Sequence, residues 1–352
     1  MRQPLNQIGQ QRIDPSKIKK VLLIRLRRIG DVIMTTPAVS ALREGFPDAF
    51  ISYVVEAPYR ELVEGNPGLD KIFVLEKKQS KRDFFKLIRQ VRKEKYDVVL
   101  DFHGGPRASL ITLFSKAKLK VGYRIKYRNF IYHIKLSRSP KKGHFHSVEN
   151  HLNFVKALGI NIEFPPPLSL PRSQKTEAEK VRQFLEENKL EGYKVIAVHI
   201  SAGNEFRDWG VDNFVKLFTF LGQQPDVKIV LIGASEDKKA EEEIQKKSTV
   251  PLLSLVGKLN LREVKELISQ SSLFVGPDSG PMHIAASTST PIVALFGPTL
   301  PANFAPWQAK AVLIEKEFEC RPCKQRQCIY KDFRCLQSIT PEEVYEACLR
   351  FI

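Results

Sequence analysis

The sequence predicts an α/β protein built from two doubly wound parallel sheets, and three observations carry that prediction. Apolar, β-branched runs alternate with amphipathic helical stretches through both halves of the chain, as expected of strands buried on both faces by crossover helices. A proline-rich stretch, "FPPPLSLPRS" from Phe164 to Ser173, interrupts the alternation; it can form neither a central strand nor a helix interior and reads as a semi-rigid linker. With 352 residues, 43% of them hydrophobic, the chain has enough apolar side chains for two sizeable cores. The expected division is a first domain over 1–166, a second over 172–338 and a terminal helical segment over 339–352, with the two domains facing each other across a cleft.

Element by element, the first half offers strands at Val21–Ile24, Phe50–Val55, Lys71–Leu75 and Tyr96–Phe102, with helices near Val32–Glu44 and Lys81–Lys95. The second half repeats the scheme with strands at Val195–Ile200, Val227–Gly233, Leu273–Gly276 and Pro291–Gly297. In open parallel sheets ligands bind beyond the carboxyl ends of the strands at a switch point, so the residues just after each strand matter most.

The N-terminus has no apolar run of signal-peptide type and no stretch reaches membrane-spanning length, so a soluble, cytoplasmic protein is expected. A formal net charge of +17 points to an anionic partner: a nucleic acid, an anionic lipid surface or a phosphorylated substrate. The excess is concentrated. No acidic residue falls between Asp101 and Glu149, whereas Arg107, Arg124 and further basic residues as far as Lys142 lie there.

Four stretches carry candidate chemistry. In "LFVGPDSGPMHIAAS", Leu273–Ser287, a strand gives way to a helix whose start falls near Gly280 and Pro281, with Asp278 or Ser279 as its cap. The free N–H groups and positive dipole end of that helix suit a phosphate, and His283 is placed to donate to the same anion. Asp278, repelled by a phosphate, would orient loop amides or pair with a cation. An ordinary capped helix with a satisfied histidine accounts for the same residues. In "HISAGNEFRDWG", His199–Gly210, a loop of small residues with Ser201, Gly203 and Asn204 precedes Arg207, whose guanidinium can clamp two phosphate oxygens; a surface turn with a solvated arginine is the alternative. Glu236, following "LIGAS", stands where a carboxylate can take ribose hydroxyls, or where a helix start favours Glu. In "RLRRIGDVIMTTPA", Arg25–Ala38, Gly30 permits a tight turn and Asp31 begins a helix, either as its cap or as a general base, ionised at neutral pH, that accepts a proton from a hydroxyl.

Together, "LLIRLRRIGDVIMTTPAVSALREGFP", "VGPDSGPMHIAASTSTPIVALFGPT" and, more loosely, "GNEFRDWGVDNFVKL" resemble glycosyltransferase family 9, the ADP-heptose:lipopolysaccharide heptosyltransferases, from about Lys20 to the C-terminus. The resemblance implies a GT-B fold of two facing Rossmann-like domains, the first binding acceptor and the second nucleotide sugar. It also implies inverting transfer of a heptose from ADP-heptose to the anionic, lipid-anchored lipopolysaccharide core without a cofactor or metal, in the subtype of the second-heptose enzyme. The chain has no Asp-x-Asp pair of the kind that holds a metal on a nucleotide-sugar diphosphate. Asp31 then matches the catalytic base, and Asp278, Ser279, Gly280 and His283 match the residues that hold the donor diphosphate, joined by Ser201, Arg207 and Glu236. Arg25, Arg28, Arg107 and Arg124 are the candidates for the acceptor, and the basic region as a whole suits an anionic membrane surface, which implies peripheral association with the inner membrane. Two positions depart from the family pattern: Arg207 replaces a usual lysine, and Gly210 a usual proline after Trp209.

Cys320, Cys323, Cys328 and Cys335 cluster in "CRPCKQRQCIYKDFRC". Their spacing permits a structural tetrathiolate zinc site, the alternative being reduced thiols packed in a small subdomain; four thiolates would leave no open position for catalysis. "SITPEEVYEACLRFI" reads as a capped helix, which the resemblance packs back on the first domain. Two other function classes stay in view. A basic nucleic-acid-binding protein would use Tyr123, Tyr127, Phe130 and Tyr132 among the cations, although no recognition motif accompanies them and no nucleic acid is expected. A sugar-nucleotide epimerase would share the two-domain fold.

Overall fold

The computed structural model describes residues 14–76, 78, 80–138 and 145–352; Lys141 and Lys142 of the basic region lie outside them. The chain forms two compact units, Met1–Pro171 and Arg172–Ile352. Each has a six-stranded sheet in which every strand pairing is parallel.

The first unit contains β1 (Lys20–Ile24), β2 (Phe50–Glu56), β3 (Lys71–Leu75), β4 (Val98–Asp101), β5 (Leu119–Tyr123) and β6 (Ile134–Leu136), in the order β3-β2-β1-β4-β5-β6. The second contains β7 (Lys194–His199), β8 (Val227–Ile232), β9 (Leu253–Ser254), β10 (Leu273–Pro277), β11 (Ile292–Phe296) and β12 (Ala311–Glu315), in the order β12-β11-β10-β7-β8-β9. Read from the opposite edge, the second order is the first repeated. Both are the doubly wound nucleotide-binding arrangement, with the strand order reversing between β1 and β4 and again between β7 and β10. The central strands are apolar because helices cover both faces: Val21–Ile24 and Leu273–Val275 are fully buried.

The expected helix over Val32–Glu44 is two helices, Ile29–Ile33 and Thr36–Gly45. Pro37 lacks an N–H and is accommodated in the first turn of the second helix, while Thr35 Oγ1 donates to the Val32 carbonyl at 2.7 Å in the break between them.

The terminal helix Pro341–Leu349 has the expected cap, with Glu343 Oε2 accepting from the Thr340 N–H at 2.9 Å and Thr340 Oγ1 from the Glu343 N–H at 3.2 Å. The sequence reading returned it to the first domain; the packing observed is within the second unit. Val344, Ala347 and Cys348 join Trp209, Phe214 and Leu217 in the core of the second unit. Trp209, fully buried, donates Nε1–H to the Ile339 carbonyl at 2.8 Å and so fixes the entry to this helix. Among the described residues no helix is long and apolar enough to cross a membrane.

Candidate functional site

At the β1/β4 switch of the first unit the chain leaves β1 through Arg25–Arg28 and enters the helix Ile29–Ile33, with Asp31 in its first turn. Arg28 holds φ at +71°, a sparsely allowed conformation for a residue with a side chain. Asp31 is oriented by Arg25, whose guanidinium pairs with its carboxylate and also donates to the Phe102 carbonyl at 2.8 Å. The Arg25 side chain is 11% exposed and that of Asp31 25%. Arg25, expected as an acceptor cation, is therefore buried and engaged in holding Asp31.

The loop after β4 is set by Asp101, which is fully buried. Its Oδ1 accepts from the N–H groups of His103 at 3.0 Å and Gly104 at 2.7 Å, and its Oδ2 from Tyr132 at 2.6 Å. Burial raises the Asp101 pKa even though these donors act in the opposite sense. Tyr132 also hydrogen-bonds Ser109, which accepts from Arg128, so a single buried carboxyl ties the β4 loop to the segment after β5.

These loops enclose a depression of about 780 Å³ lined by Arg25, Arg27, Arg28, Asp31, His103, Arg124, Lys126, Arg128 and Arg138. Seven of its lining side chains are Arg or Lys and one is a carboxylate, a balance suited to an anionic ligand that must also meet a proton acceptor. His103 is neutral there: burial, then the Arg25 and Arg27 guanidiniums, push its pKa down to about 4. Of the sequence candidates, Asp31, Arg25, Arg28 and Arg124 line the depression. Arg107 does not; it reaches Glu56 at 3.5 Å and the Glu76 carbonyl at 3.2 Å. His103, Lys126, Arg128 and Arg138 were not singled out as site residues, although the Gly-Gly pair after a strand ending in Asp101 was a readable signal for the His103 loop.

The second unit has its counterpart at the β7/β10 switch. Ser279 precedes the helix Gly280–Ala285 as its N-cap residue, and its Oγ shares a 3.1 Å hydrogen bond with Nδ1 of His199 at the end of β7. Gly276 admits this approach, since a Cβ there would lie 3.0 Å from the His199 Cβ and 3.1 Å from its carbonyl oxygen. Asp278 does what its charge requires: Oδ2 accepts from Thr299 at 2.6 Å and pairs with Arg207 Nη1 at 3.3 Å, while the same nitrogen donates to the Asp278 carbonyl at 3.0 Å. Arg207 Nε and Asn204 Nδ2 both donate to Gln325 Oε1, at 3.1 and 2.9 Å. Ser201 Oγ accepts the Gly203 N–H at 3.0 Å in a turn where Gly203 has φ +62°. Ser201, Arg207, Asp278, Ser279 and Gly280 are thus gathered at one sheet edge. His283 lies in the same helix but is 3% exposed, which leaves little of it for a ligand. Glu236 is exposed in the turn after β8, where Asp237 makes the capping contact, accepting from the Ala234 N–H at 2.7 Å. Gly210 has φ +92°, unreachable for the proline usual at this position in the resembled family, so the loop after Trp209 differs for a backbone reason.

The four clustered cysteines are free thiols, half-buried. Burial and the neighbouring thiols of Cys320, Cys328 and Cys323 push Cys335 up to about 11. For Cys328 burial works upward, yet the N–H groups of Phe333, Tyr330, Lys331 and Asp332 draw it below the usual thiol range. Among the described residues no group of three His, Cys, Asp or Glu side chains is arranged as a ready-made set of metal ligands, while the four thiols are near enough to one another for three of them to act on Cys335. The aromatic platform of the nucleic-acid reading is dispersed: Tyr123 and Tyr132 are buried, at 4% and 2% exposure.

Three imidazoles whose pKa is pushed down, those of half-buried His103 and of buried His151 and His199, give the fold an acid limit. Burial pushes His103 to about 4, His151 to about 3 and His199 to about 4. Each folded value lies below the unfolded value near 6.5, so the unfolded chain takes the proton first; stability is complete above that pH and is lost as pH falls toward 4. Asp101, raised by burial, offsets part of the loss at the acid end. The denaturant midpoint is expected to fall steadily from pH 6.5 to 4.5, with about two to three protons taken up per unfolding event near pH 5. A midpoint constant over that interval would contradict rings held neutral in the fold.

The family model of glycosyltransferase family 9 (heptosyltransferase) matches residues 84–334. The chain is 26% identical over 304 residues to lipopolysaccharide heptosyltransferase 3 of Escherichia coli, covering 80% of this chain and 84% of that protein. It is 27% identical over 335 residues to lipooligosaccharide heptosyltransferase 2 of Campylobacter jejuni, covering 90% and 93%. In fold it is similar to the E. coli heptosyltransferase WaaC solved with ADP, with a TM-score of 0.71 and 17% identity over 95% of this chain and 100% of that one. The doubled switch-point architecture and a family match extending over well more than half the sequence lead to one conclusion: the chain belongs to glycosyltransferase family 9, the heptosyltransferases, and is a glycosyltransferase.

Proposed function

We propose that the protein transfers a heptose from ADP-heptose to the anionic inner core of lipopolysaccharide, with inversion and without a metal ion, acting peripherally at the cytoplasmic face of the inner membrane. The observation that carries this reading is Asp31, a carboxylate held in place by Arg25 at the edge of a depression otherwise lined by cations. An anionic sugar acceptor fits the cations, and its hydroxyl needs a base. Asp31 takes the hydroxyl proton as the oxygen attacks the anomeric carbon of the heptose. The new C–O bond forms as the bond from that carbon to the diphosphate oxygen breaks, and ADP departs with the electron pair. A single displacement of this kind inverts the anomeric configuration.

The second unit supports the donor half. Arg207, fixed by Asp278 and Gln325, is a cation aimed by three contacts to these two residues rather than a solvated surface arginine. It can take the charge that develops on the leaving diphosphate, a role a metal ion fills elsewhere. Ser201, Ser279 and the N–H groups around Gly280 supply neutral donors nearby, and the exposed Glu236 suits ribose hydroxyls. Membership of a transferase family also favours transfer over the epimerase alternative.

The test is calorimetric titration with ADP, UDP and GDP in the presence of EDTA, followed by transfer from ADP-heptose to delipidated core oligosaccharide. Selective ADP binding and turnover without metal are expected. Turnover only after a divalent ion is added, or preference for UDP, would overturn the metal-free or the donor assignment respectively.

A further inference from the structure

We propose that the loop Arg124–Phe130, together with the helix Pro106–Phe114 beside it, docks on an anionic lipid bilayer with Tyr127 and Phe130 seated among the headgroups. The inference rests on the reading of the acceptor as lipid-anchored and anionic. Its starting point is a pair of aromatic side chains that the fold leaves in water: Tyr127 is 82% exposed and Phe130 77%. Single exposed apolar residues are ordinary, but a group of them rimmed by charge marks an interaction surface.

The loop that carries them is firmly built. Asn129 Oδ1 accepts the Ile125 N–H at 2.8 Å, the Arg128 N–H donates to the Ile125 carbonyl at 3.1 Å, and Arg128 Nη1 reaches Ser109 at 3.2 Å. Tyr127 is held at φ +68°, a conformation that costs energy in any residue with a Cβ. Leu110 and Phe114, one turn apart on a helix that packs against the turn containing Phe130, are also exposed, at 40% and 43%.

Charge selects the partner. Arg124, Lys126 and Arg128 come from the same loop and line the basic depression, and no carboxylate occurs in the sequence between Asp101 and Glu149. Amphipathic aromatics flanked by Lys and Arg suit the interface of an anionic bilayer, where each basic residue strengthens binding about five-fold. The arrangement also has a functional logic. One short loop walls the acceptor depression and presents the aromatics, so an acceptor whose lipid remains in the bilayer can offer its sugar to the depression without leaving the membrane.

The experiment is co-sedimentation of the full chain with vesicles of phosphatidylcholine, alone or mixed with phosphatidylglycerol. Binding only to the mixed vesicles, weakened by salt, is expected, with at least a ten-fold loss in the Tyr127→Ser/Phe130→Ser double variant and no change in its melting temperature. Insertion is read separately through Tyr127→Trp, whose fluorescence should be quenched by brominated acyl chains. Neither Tyr127 nor Phe130 lines the depression, so the double variant should transfer heptose to delipidated acceptor at the wild-type rate. Absence of vesicle binding, wild-type binding by the double variant, or tighter binding of single-stranded DNA than of vesicles would each overturn the docking proposal. Failure of wild-type protein to use the soluble acceptor would instead overturn the functional reading on which it rests.

Discussion

Replacing Asp31 by asparagine is expected to lower kcat by about 10²- to 10⁴-fold, the usual contribution of a general base, while leaving ADP affinity within two-fold of wild type. Asparagine is the informative substitution because it keeps the shape of the side chain and an oxygen for Arg25. Alanine would leave the Arg25 guanidinium, 11% exposed, without the carboxylate it pairs with, and losing one partner of a buried ion pair costs about 3–5 kcal/mol. Lost activity could then be mistaken for lost folding. With asparagine, the melting temperature and ADP titration show that both units are intact, and the rate reports the missing base alone. Turnover near the wild-type rate in this variant would remove Asp31 from the mechanism. Arg25→Lys provides the companion measurement: it keeps the charge but loses the fork that holds Asp31 and the Phe102 carbonyl together. Its kcat should fall by less than that of the asparagine variant, as befits a positioning residue.

The switch-point logic explains what the sequence could reveal. Asp31 and the Asp278–Gly280 seam were legible because each follows a continuous apolar strand and opens a helix, so chain order alone puts them at the carboxyl edge of a sheet. Contacts that span longer stretches of chain were not legible. Arg25 and Arg28 are equivalent as letters, but one is turned inward to Asp31 and Phe102 while the other stays exposed. Arg107 belongs to the basic region by charge, yet Glu56 and the Glu76 carbonyl, from segments far earlier in the chain, take up its guanidinium. His103 gave the converse case. Its value to the site comes from the arginines around it, which only the fold brings together.

The strands show the same division. β1, β2, β3 and β4 were readable as apolar runs, whereas β5 was not, because lysines at 116, 118 and 120 make its surroundings look like a charged surface segment. β12, an edge strand whose residues are partly buried or exposed, offered a weak hydrophobic signal for the opposite reason: little of it is covered. The terminal helix was read correctly as a capped helix from its local Thr-Pro-Glu-Glu pattern. Its contact with Trp209 and Phe214 was not legible, since it depends on tertiary packing that no local pattern encodes.

The largest effect expected on the donor side is from Arg207→Ala, which should weaken ADP binding by about ten- to one hundred-fold, the range for losing a hydrogen bond to a charged group. The size follows from how firmly the side chain is held. Its Nη1 is fixed by the carbonyl and carboxylate of Asp278 and its Nε by Gln325, so little entropy is lost when a diphosphate arrives. Arg207→Lys should recover part of the affinity, since charge survives but the planar fork does not. Gln325→Ala leaves the guanidinium in place and removes one of its supports, and with it the support of Asn204. A smaller loss in the same direction is expected, mainly in the KM for donor. The decisive measurement is the double variant. If Gln325 acts through Arg207, removing Gln325 in the Arg207→Ala background should add almost nothing to the loss. Fully additive losses would mean that Gln325 meets the donor by a separate route, and an ADP affinity unchanged by Arg207→Ala would take the diphosphate away from the β7/β10 edge altogether.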